Sequence, residues 1–312
     1  MKRSLLLLAV LLQAILIFSA DTPWGYFKAY GQAWYKVEES AENTFQLRRV
    51  RVKTGGDLVE GRIGLALQLD LLSDDVNLLD LKIRFRSSMF DLTVGRFLVP
   101  MDIYTPVSPL NLNTLEYPLL ADFSPWREEG ILLKRTFGPA VLYALVANGS
   151  GTNTFTGFID TDSEKAYMLR MDLVPFEDMY LGVSGWQDHF IEDERWSISR
   201  RFNIFANIRE KNFLFRAQFT AAEDEDEFDR NFYSYSYFVN LSFFVADCEF
   251  VTRYEFFDRD KAQPGEIRTR FTAGLNCDLL GPGLRLSVNY QINGESQDLL
   301  NNILIFQLLA EL

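Results

Sequence analysis

Basic side chains recur at every second position along several apolar stretches of the sequence. In LLDLKIRFR (78–86), Lys82, Arg84 and Arg86 alternate with leucine, isoleucine and phenylalanine. Ammonium and guanidinium groups are cations with several hydrogen-bond donors, so they bind or steer anions. A row of them predicts ion handling rather than a covalent reaction. The candidate residues of this kind are Arg48, Arg51, Arg62, Lys82, Arg84, Arg86, Arg96, Arg268, Arg270 and Arg285.

The spacing of these residues indicates that β-strands carry them. Successive side chains of a strand point to opposite faces, so one face of 78–86 is apolar and the other is basic. We expect Leu79, Leu81, Ile83 and Phe85 to face lipid and the basic residues to line a wet interior. An arginine facing lipid at the membrane midplane costs about 2–4 kcal/mol, which favours this orientation. Structural ion pairs with Asp70, Asp80 and Asp91 are the alternative role for the basic residues.

The alternation is interrupted at Arg48 and Arg49. Before the interruption the apolar residues, such as Leu47, occupy odd-numbered positions, whereas after it they occupy even-numbered positions, as Val50 does. A β-bulge, which inserts one extra residue into a strand, would send both arginines to the interior. A single arginine that snorkels along the surface is the alternative.

Sixteen segments have the composition and alternation of strands, which predicts an all-β protein. The count falls to 14 if the segments 89–98 and 195–209 are not strands. The predicted strands span 24–38, 45–54, 60–72, 78–87, 89–98, 129–137, 140–148, 164–174, 178–188, 195–209, 212–222, 231–246, 247–258, 266–279, 283–293 and 300–312.

The lengths of the connections distinguish a membrane barrel from a soluble sandwich, whose half-buried strands also alternate. Connections after even-numbered segments are tight, as at Gly55-Gly56-Asp57 and Gly138-Pro139, whereas those after odd-numbered segments are long and polar. Long loops at one end and short turns at the other are typical of a transmembrane antiparallel β-barrel of the bacterial outer membrane.

The N-terminus and the overall charge are consistent with export. Residues 1–20 read as a secretory signal peptide, with Lys2-Arg3 before an apolar stretch and Ser19-Ala20 before Asp21. The barrel is then predicted over 21–312. The chain has 312 residues and a formal charge of −12, which argues against nucleic acid as a partner.

Several short motifs resemble those of the bacterial porins, and most those of the phosphate-selective porin O/P type. They are FQLRRVRVKTGG (45–56), LLDLKIRF (78–85) and VGRFLVP (94–100), followed by a proline-rich loop and NGSG (148–151). The resemblance implies a sixteen-stranded barrel in outer-membrane lipid, usually a homotrimer, that passes small hydrophilic solutes or ions down their gradients. It also implies that the third long loop folds into the pore.

The segment from about 99 to 127 is the longest connection and lies where this loop is expected. Its constriction residues would be Asp102, Glu116 and Asp122, and it contains no lysine. An acidic loop opposite a basic wall resembles the constriction of a general-diffusion porin rather than a phosphate-specific one. The arginines of the wall motivate a mild preference for anions.

Other residues capable of chemistry do not form a convincing catalytic or metal site. His189 is the only histidine, and its neighbour Asp188 would point to the opposite face of a strand. The acidic runs 192–194 and 223–229 lack the glycine-punctuated pattern of a calcium loop. We therefore expect no cofactor, no metal and no enzymatic activity.

Cys248 and Cys277 are the only cysteines, and the alternation assigns both to the lipid-facing side of their strands. A hairpin centred near residue 262 would place them almost opposite each other, so a cross-strand disulfide is one possibility. We expect unmodified thiols instead.

The sequence therefore predicts an outer-membrane porin for the passive diffusion of small hydrophilic solutes. Two alternatives remain open at this stage. One is an outer-membrane barrel with an enzymatic or adhesive rim, and the other is a secreted soluble β-protein that binds a ligand.

Overall fold

The computed structural model describes residues 25–39, 41–72, 76–149, 164–192, 195–225, 231–260, 267–279, 281, 283–295 and 301–311. Side chains between 190 and 197 are not described. The predicted signal peptide, 1–20, lies outside the described residues, as do parts of the acidic runs, at 193–194 and from 226 onward.

Sixteen antiparallel strands form one closed barrel, in which each strand pairs with its neighbours in sequence and β1 pairs with β16. All sixteen predicted strands are confirmed, including the two on which the count depended, β5 and β10. The strands are β1 (Tyr26–Glu38), β2 (Thr44–Val59), β3 (Ile63–Asp70), β4 (Asn77–Arg86), β5 (Asp91–Leu98), β6 (Arg127–Phe137), β7 (Ala140–Ala147), β8 (Ala166–Phe176), β9 (Met179–Glu192), β10 (Arg195–Glu210), β11 (Phe213–Glu225), β12 (Asn231–Val245), β13 (Cys248–Asp258), β14 (Ile267–Asp278), β15 (Leu284–Glu295) and β16 (Ile303–Glu311).

The outer surface of the barrel is apolar, because alternate side chains of each strand point away from the interior. On β4, Ile83 is 37% exposed and Phe85 is 39% exposed, as the alternation predicts. Other large apolar side chains exposed in the same way are Leu133, Val146, Phe219, Val239, Phe250 and Phe271. No helix in the described ranges is long and apolar enough to cross a membrane.

Leu79 departs from the predicted lipid-facing row. The β3–β4 register shifts between Gln68 and Leu69. Gln68 pairs with Asp80 and Leu69 pairs with Leu78, which leaves Leu79 without a partner residue on β3. Leu79 is 2% exposed and lies on the interior cavity. The expectation that it faces lipid is wrong because the irregularity reverses the alternation at this point.

Of the two alternatives considered at Arg48 and Arg49, the structure has the β-bulge. In the β1–β2 ladder, Gln32 pairs with Arg49 and Ala33 pairs with Leu47, which leaves Arg48 as the extra residue. Both arginines reach the interior cavity.

The turn predicted at Gly55-Gly56-Asp57 lies further along the chain. β2 continues through these residues to Val59, and the turn follows at 60–62. Position 55 requires glycine because neighbouring atoms lie close to its Cα, not because the backbone turns there. A Cβ atom there would lie 2.6 Å from the Leu65 carbonyl oxygen and 2.9 Å from the Tyr26 hydroxyl.

Cys248 and Cys277 form a disulfide, which corrects the expectation of unmodified thiols. They pair directly across β13 and β14, with their Cα atoms 4.2 Å apart. The strands meet in the register that opposes the two cysteines, and this geometry permits the bond.

The connection between β5 and β6 enters the barrel. We refer to residues 99–126 as the inserted loop; it contains two short 3-10 turns, Pro109–Asn111 and Leu119–Phe123. It packs against the inner wall of the barrel.

Candidate pore constriction

Besides a small apolar contact of Leu115 with Trp34 and Ile305, two larger apolar clusters hold the inserted loop against the barrel wall. The first contains Ile103, Tyr104, Leu112, Leu120 and Phe123 of the loop with Phe205, Ala222, Phe238 and Phe257 of the wall. The second contains Val99 and Met101 of the loop with Phe97, Leu145, Ala147, Ala166, Met168 and Trp186. Burial of these side chains is the main favourable contribution to the loop's position.

A buried arginine fixes the first part of the loop. Arg170 of β8 donates to the carbonyl oxygens of Pro100 at 2.7 Å and of Asp102 at 2.9 Å. Asp172 accepts two bonds from the same guanidinium, at 2.8 and 3.0 Å. The charge of Arg170 is therefore balanced while its remaining donors bind loop backbone.

A second charged cluster fixes the later part of the loop. Glu255 of β13 accepts from Arg253 at 2.8 Å and from Arg270 of β14 at 2.7 and 3.0 Å. Arg253 also donates to the Glu116 carbonyl oxygen at 3.0 Å, and Arg270 donates to that of Tyr117 at 2.8 Å. The Glu255 carboxylate thus bridges two arginines that hold adjacent loop carbonyls.

Asp102 is fully buried and stabilises the bend of the loop. Its carboxylate accepts from the backbone N–H groups of Tyr104 at 2.7 Å and of Thr105 at 2.5 Å. The hydroxyls of Thr105 and Ser124 also donate to it. Its charge is directed into the loop, so it does not line the cavity, in contrast to the expectation from sequence.

A cavity of about 1040 Å³ remains between the inserted loop and the opposite wall. Strands β1–β7 supply almost all of the barrel residues that line it, with Arg270 from β14 and Glu311 from β16. Ten basic and six acidic side chains line the cavity, so basic residues predominate.

The basic residues predicted from the sequence divide into two groups. Those that line the cavity are Arg48, Arg51, Lys82, Arg84 and Arg270. Those outside its lining are Arg62, Arg86, Arg96, Arg268 and Arg285. In the second group, Arg62 lies in a turn. The other four have carboxylate partners: Asp57 for Arg86, Glu129 for Arg96, Asp122 for Arg268 and Asp278 for Arg285.

Six cavity-lining cations make no ion pair with any described residue. Five of them lie on β2 and β4, namely Arg48, Arg49, Lys53, Lys82 and Arg84, and the sixth, Lys134, lies on β6. Arg51 differs because Asp70 accepts from it at 2.8 Å, and Arg127 differs because Asp80 accepts from it at 3.1 Å. Both roles considered from the sequence, structural pairing and exposure to the interior, are therefore found on one wall.

The acidic residues of the loop that reach the cavity are neutralised by arginines. Glu116 lies 3.1 Å from Arg270, and Asp122 lies 3.3 Å from Arg268. The loop thus presents little free negative charge, and the constriction differs from the acidic-loop arrangement expected from the sequence.

Several residues of the constriction were not predicted as part of it, among them Lys53, Tyr117 and Trp126. Lys53 follows Arg51 by two residues and therefore points to the same face of the strand, so the alternation could have identified it. The two aromatic residues lie in a loop without periodicity, where no such signal exists. Their rings make an edge contact with centroids 4.9 Å apart, and burial raises the pKa of Tyr117 to about 12, so its phenol stays neutral.

Among the residues that the structure describes, no side chain with a catalytic role contacts His189. Gln187 Nε2 lies 3.4 Å from its Nε2 atom, and Asp188 is the preceding residue of the same strand. Among the described residues, no group of three or more histidine, cysteine, aspartate or glutamate side chains is placed to bind a metal.

No protein-family model matches the sequence, and no curated protein matches it. Solved structures do match the fold. They include the anion-selective porin from Comamonas acidovorans, at 12% identity over 92% of this chain and 98% of that chain, with a TM-score of 0.73. The trimer form of OmpT, an outer membrane protein of Vibrio cholerae, matches at 12% identity over 92% and 99%, with a TM-score of 0.68. OmpF of Salmonella typhi, in complex with daunomycin, matches at 11% identity over 92% and 96%, with a TM-score of 0.67.

At these identities the similarity establishes the fold alone. The chain is a sixteen-stranded antiparallel barrel of the porin type.

Proposed function

We propose that this protein is a bacterial outer-membrane porin that allows passive diffusion of small hydrophilic solutes and prefers anions. The observation that carries the proposal is the row of five basic side chains on β2 and β4 without ion-pair partners among the described residues, around a cavity of about 1040 Å³ inside a closed barrel. Fixed positive charge inside a low-dielectric wall attracts anions and excludes cations.

The surface and the fold of the protein support an outer-membrane location. An apolar exterior over sixteen strands needs lipid around it, and the predicted signal peptide over 1–20 would export the chain to the outer membrane. The solved relatives include one described as an outer membrane protein in trimer form, which supports a homotrimer. The resemblance to phosphate-selective porins stays a prediction, and the constriction favours a broader preference for anions.

Planar-bilayer recordings under a salt gradient test the proposal. We expect discrete conductance steps and a reversal potential of anion-selective sign from the refolded protein. Lys82→Gln combined with Arg84→Gln should lower the anion-to-cation permeability ratio by roughly threefold, because two cations leave the interior. Arg62→Gln is the matched control: it removes the same charge as Arg84→Gln at a turn outside the cavity, and the ratio should stay unchanged.

Each alternative has its own outcome in these experiments. A cation-selective reversal potential would overturn the anion preference. A folded, heat-modifiable barrel without conductance steps would overturn the channel, and an enzymatic or adhesive rim would then be the better reading. A mature chain that is soluble without detergent would identify a soluble β-protein.

A further inference from the structure

The face that the inserted loop presents to the cavity is mainly apolar, with Ser108 and Asn111 as its uncharged polar side chains. Four prolines line it together with Leu110, Leu119, Ala121, Tyr117 and Trp126. The only charged loop residues on this face are Glu116 and Asp122, and each is paired with an arginine. A solute that touches the loop therefore meets mainly hydrocarbon and aromatic surface.

The opposite face is cationic, and apart from Arg49, which is buried and donates to Gln32 at 2.9 Å, its charges are available to a solute. Lys82 and Arg84 come from β4, and Arg48, Arg49 and Lys53 come from β2. None of the five forms an ion pair with a described residue. A desolvated anion on this face would receive charge-assisted hydrogen bonds.

The two faces are close enough to act on one small solute. Tyr117 and Leu119 of the loop line the same cavity as Lys82 and Arg84 of the wall. The ring is held in place because its hydroxyl donates to the Val107 carbonyl oxygen at 2.8 Å. The cavity is therefore two-sided at the position where the loop approaches the wall.

We propose that the constriction selects amphipathic organic anions, in which a carboxylate or similar group is attached to a short apolar body. This inference rests on the proposed porin function. The anionic group would lie against Lys82 and Arg84, and the apolar body would lie against Leu110, Leu119 and Tyr117. An inorganic anion gains only the ionic contact, because the contact with the loop depends on burial of apolar surface. A neutral sugar has neither the charge for the first contact nor an apolar body for the second.

The probes are acetate and hexanoate, which carry the same charge but differ in apolar surface. In chloride solution, added hexanoate should block the single-channel current at a concentration about tenfold lower than acetate, which reflects partial burial of its alkyl chain. Leu110→Ser and, separately, Leu119→Ser should remove most of this difference. Their reversal potentials in chloride should stay unchanged, because neither variant alters charge.

A matched control separates the loop face from general effects of the substitution. Leu58→Ser removes an exposed leucine at the end of β2, outside the cavity, and should preserve the hexanoate effect. Lys82→Gln with Arg84→Gln should weaken both the block by hexanoate and the selectivity for chloride over potassium.

The failure of this inference is distinguishable from that of the porin function. Anion-selective conductance with equal block by acetate and hexanoate would overturn the amphipathic preference and leave the porin intact. A hexanoate effect that survives both leucine substitutions would also overturn it, since the loop face would not be its source. Absence of conductance would remove both proposals.

Discussion

Asp102 illustrates how one buried carboxylate defines the course of the inserted loop. It accepts hydrogen bonds from two consecutive backbone N–H groups, those of Tyr104 and Thr105, and from the hydroxyl of Ser124 across the loop. Asp122, by contrast, is exposed, and its single ion pair with Arg268 is exposed as well. Two acids of the same loop therefore have different roles: one organises backbone, and the other faces water.

Replacing Asp102 with asparagine should loosen the loop. The amide has one acceptor oxygen in place of two, so buried donors lose a partner at a cost of about 1–3 kcal/mol. Amide hydrogen exchange at Tyr104 and Thr105 should accelerate by roughly tenfold or more. Asp122→Asn is the matched control and should leave these rates within about twofold, since exposed pairs contribute little. Equal rates in both variants would show that Asp102 does not organise the bend.

At the scale of elements, the inserted loop depends on strands distant from it in sequence. Arg253 and Glu255 lie on β13 and Arg270 lies on β14, yet together they hold the carbonyl oxygens of Glu116 and Tyr117. Glu255 is 1% exposed and balances both arginines. Glu255 and Arg270 face each other across the β13–β14 ladder, so the cluster joins two wall strands and at the same time holds the loop.

Glu255→Ala should release the later half of the loop while the barrel stays closed. Removal of one partner from a buried charged cluster leaves uncompensated arginine charge, at a cost of about 3–5 kcal/mol. We expect a larger and noisier single-channel conductance with unchanged heat-modifiable migration. Glu223→Ala, which breaks the exposed pair with Arg200, is the control and should conduct like the wild type. An unaltered conductance in Glu255→Ala would contradict the anchoring role.

The strands were predictable because each has a signal in its own sequence. The constriction depends on contacts between distant residues, which leave no such local signal. Alternation with period two identifies each strand from its own residues. It could not reveal that Leu79 turns inward, because the register shift responsible is set by pairing with β3. The burial of Asp102 was equally hidden, since its donors occupy a loop without periodicity. The basic wall was identified in outline, but its division into paired and unpaired residues required the fold.

At the scale of the whole molecule, charge is segregated. The chain carries a formal charge of −12, yet basic residues outnumber acidic ones around the cavity, by ten to six. Several of these cations, such as Lys53 and Arg84, are exposed to the solvent of the interior. Selectivity that arises from such charges acts at a distance and is sensitive to mobile ions.

The anion-to-cation permeability ratio should therefore fall as salt rises. The screening length shortens from about 10 Å at 0.1 M salt to about 3 Å at 1 M, so the wall charges reach less of the pore. Reversal potentials measured at a constant concentration ratio over this range provide the test. Lys82→Gln with Arg84→Gln should show a flatter dependence, and Arg62→Gln should follow the wild type. A ratio independent of salt would indicate selection by size instead.

The disulfide between Cys248 and Cys277 has a consequence for the register of β13 and β14. It joins the two residues that face each other at one end of the β13–β14 hairpin. A slip of one residue between these strands would turn every lipid-facing side chain of one of them toward the interior. The covalent bond between Cys248 and Cys277 excludes that slip. The cross-link therefore decides which side chains of β13 and β14 face outward, and it does so independently of the strength of the hydrogen bonds between the two strands.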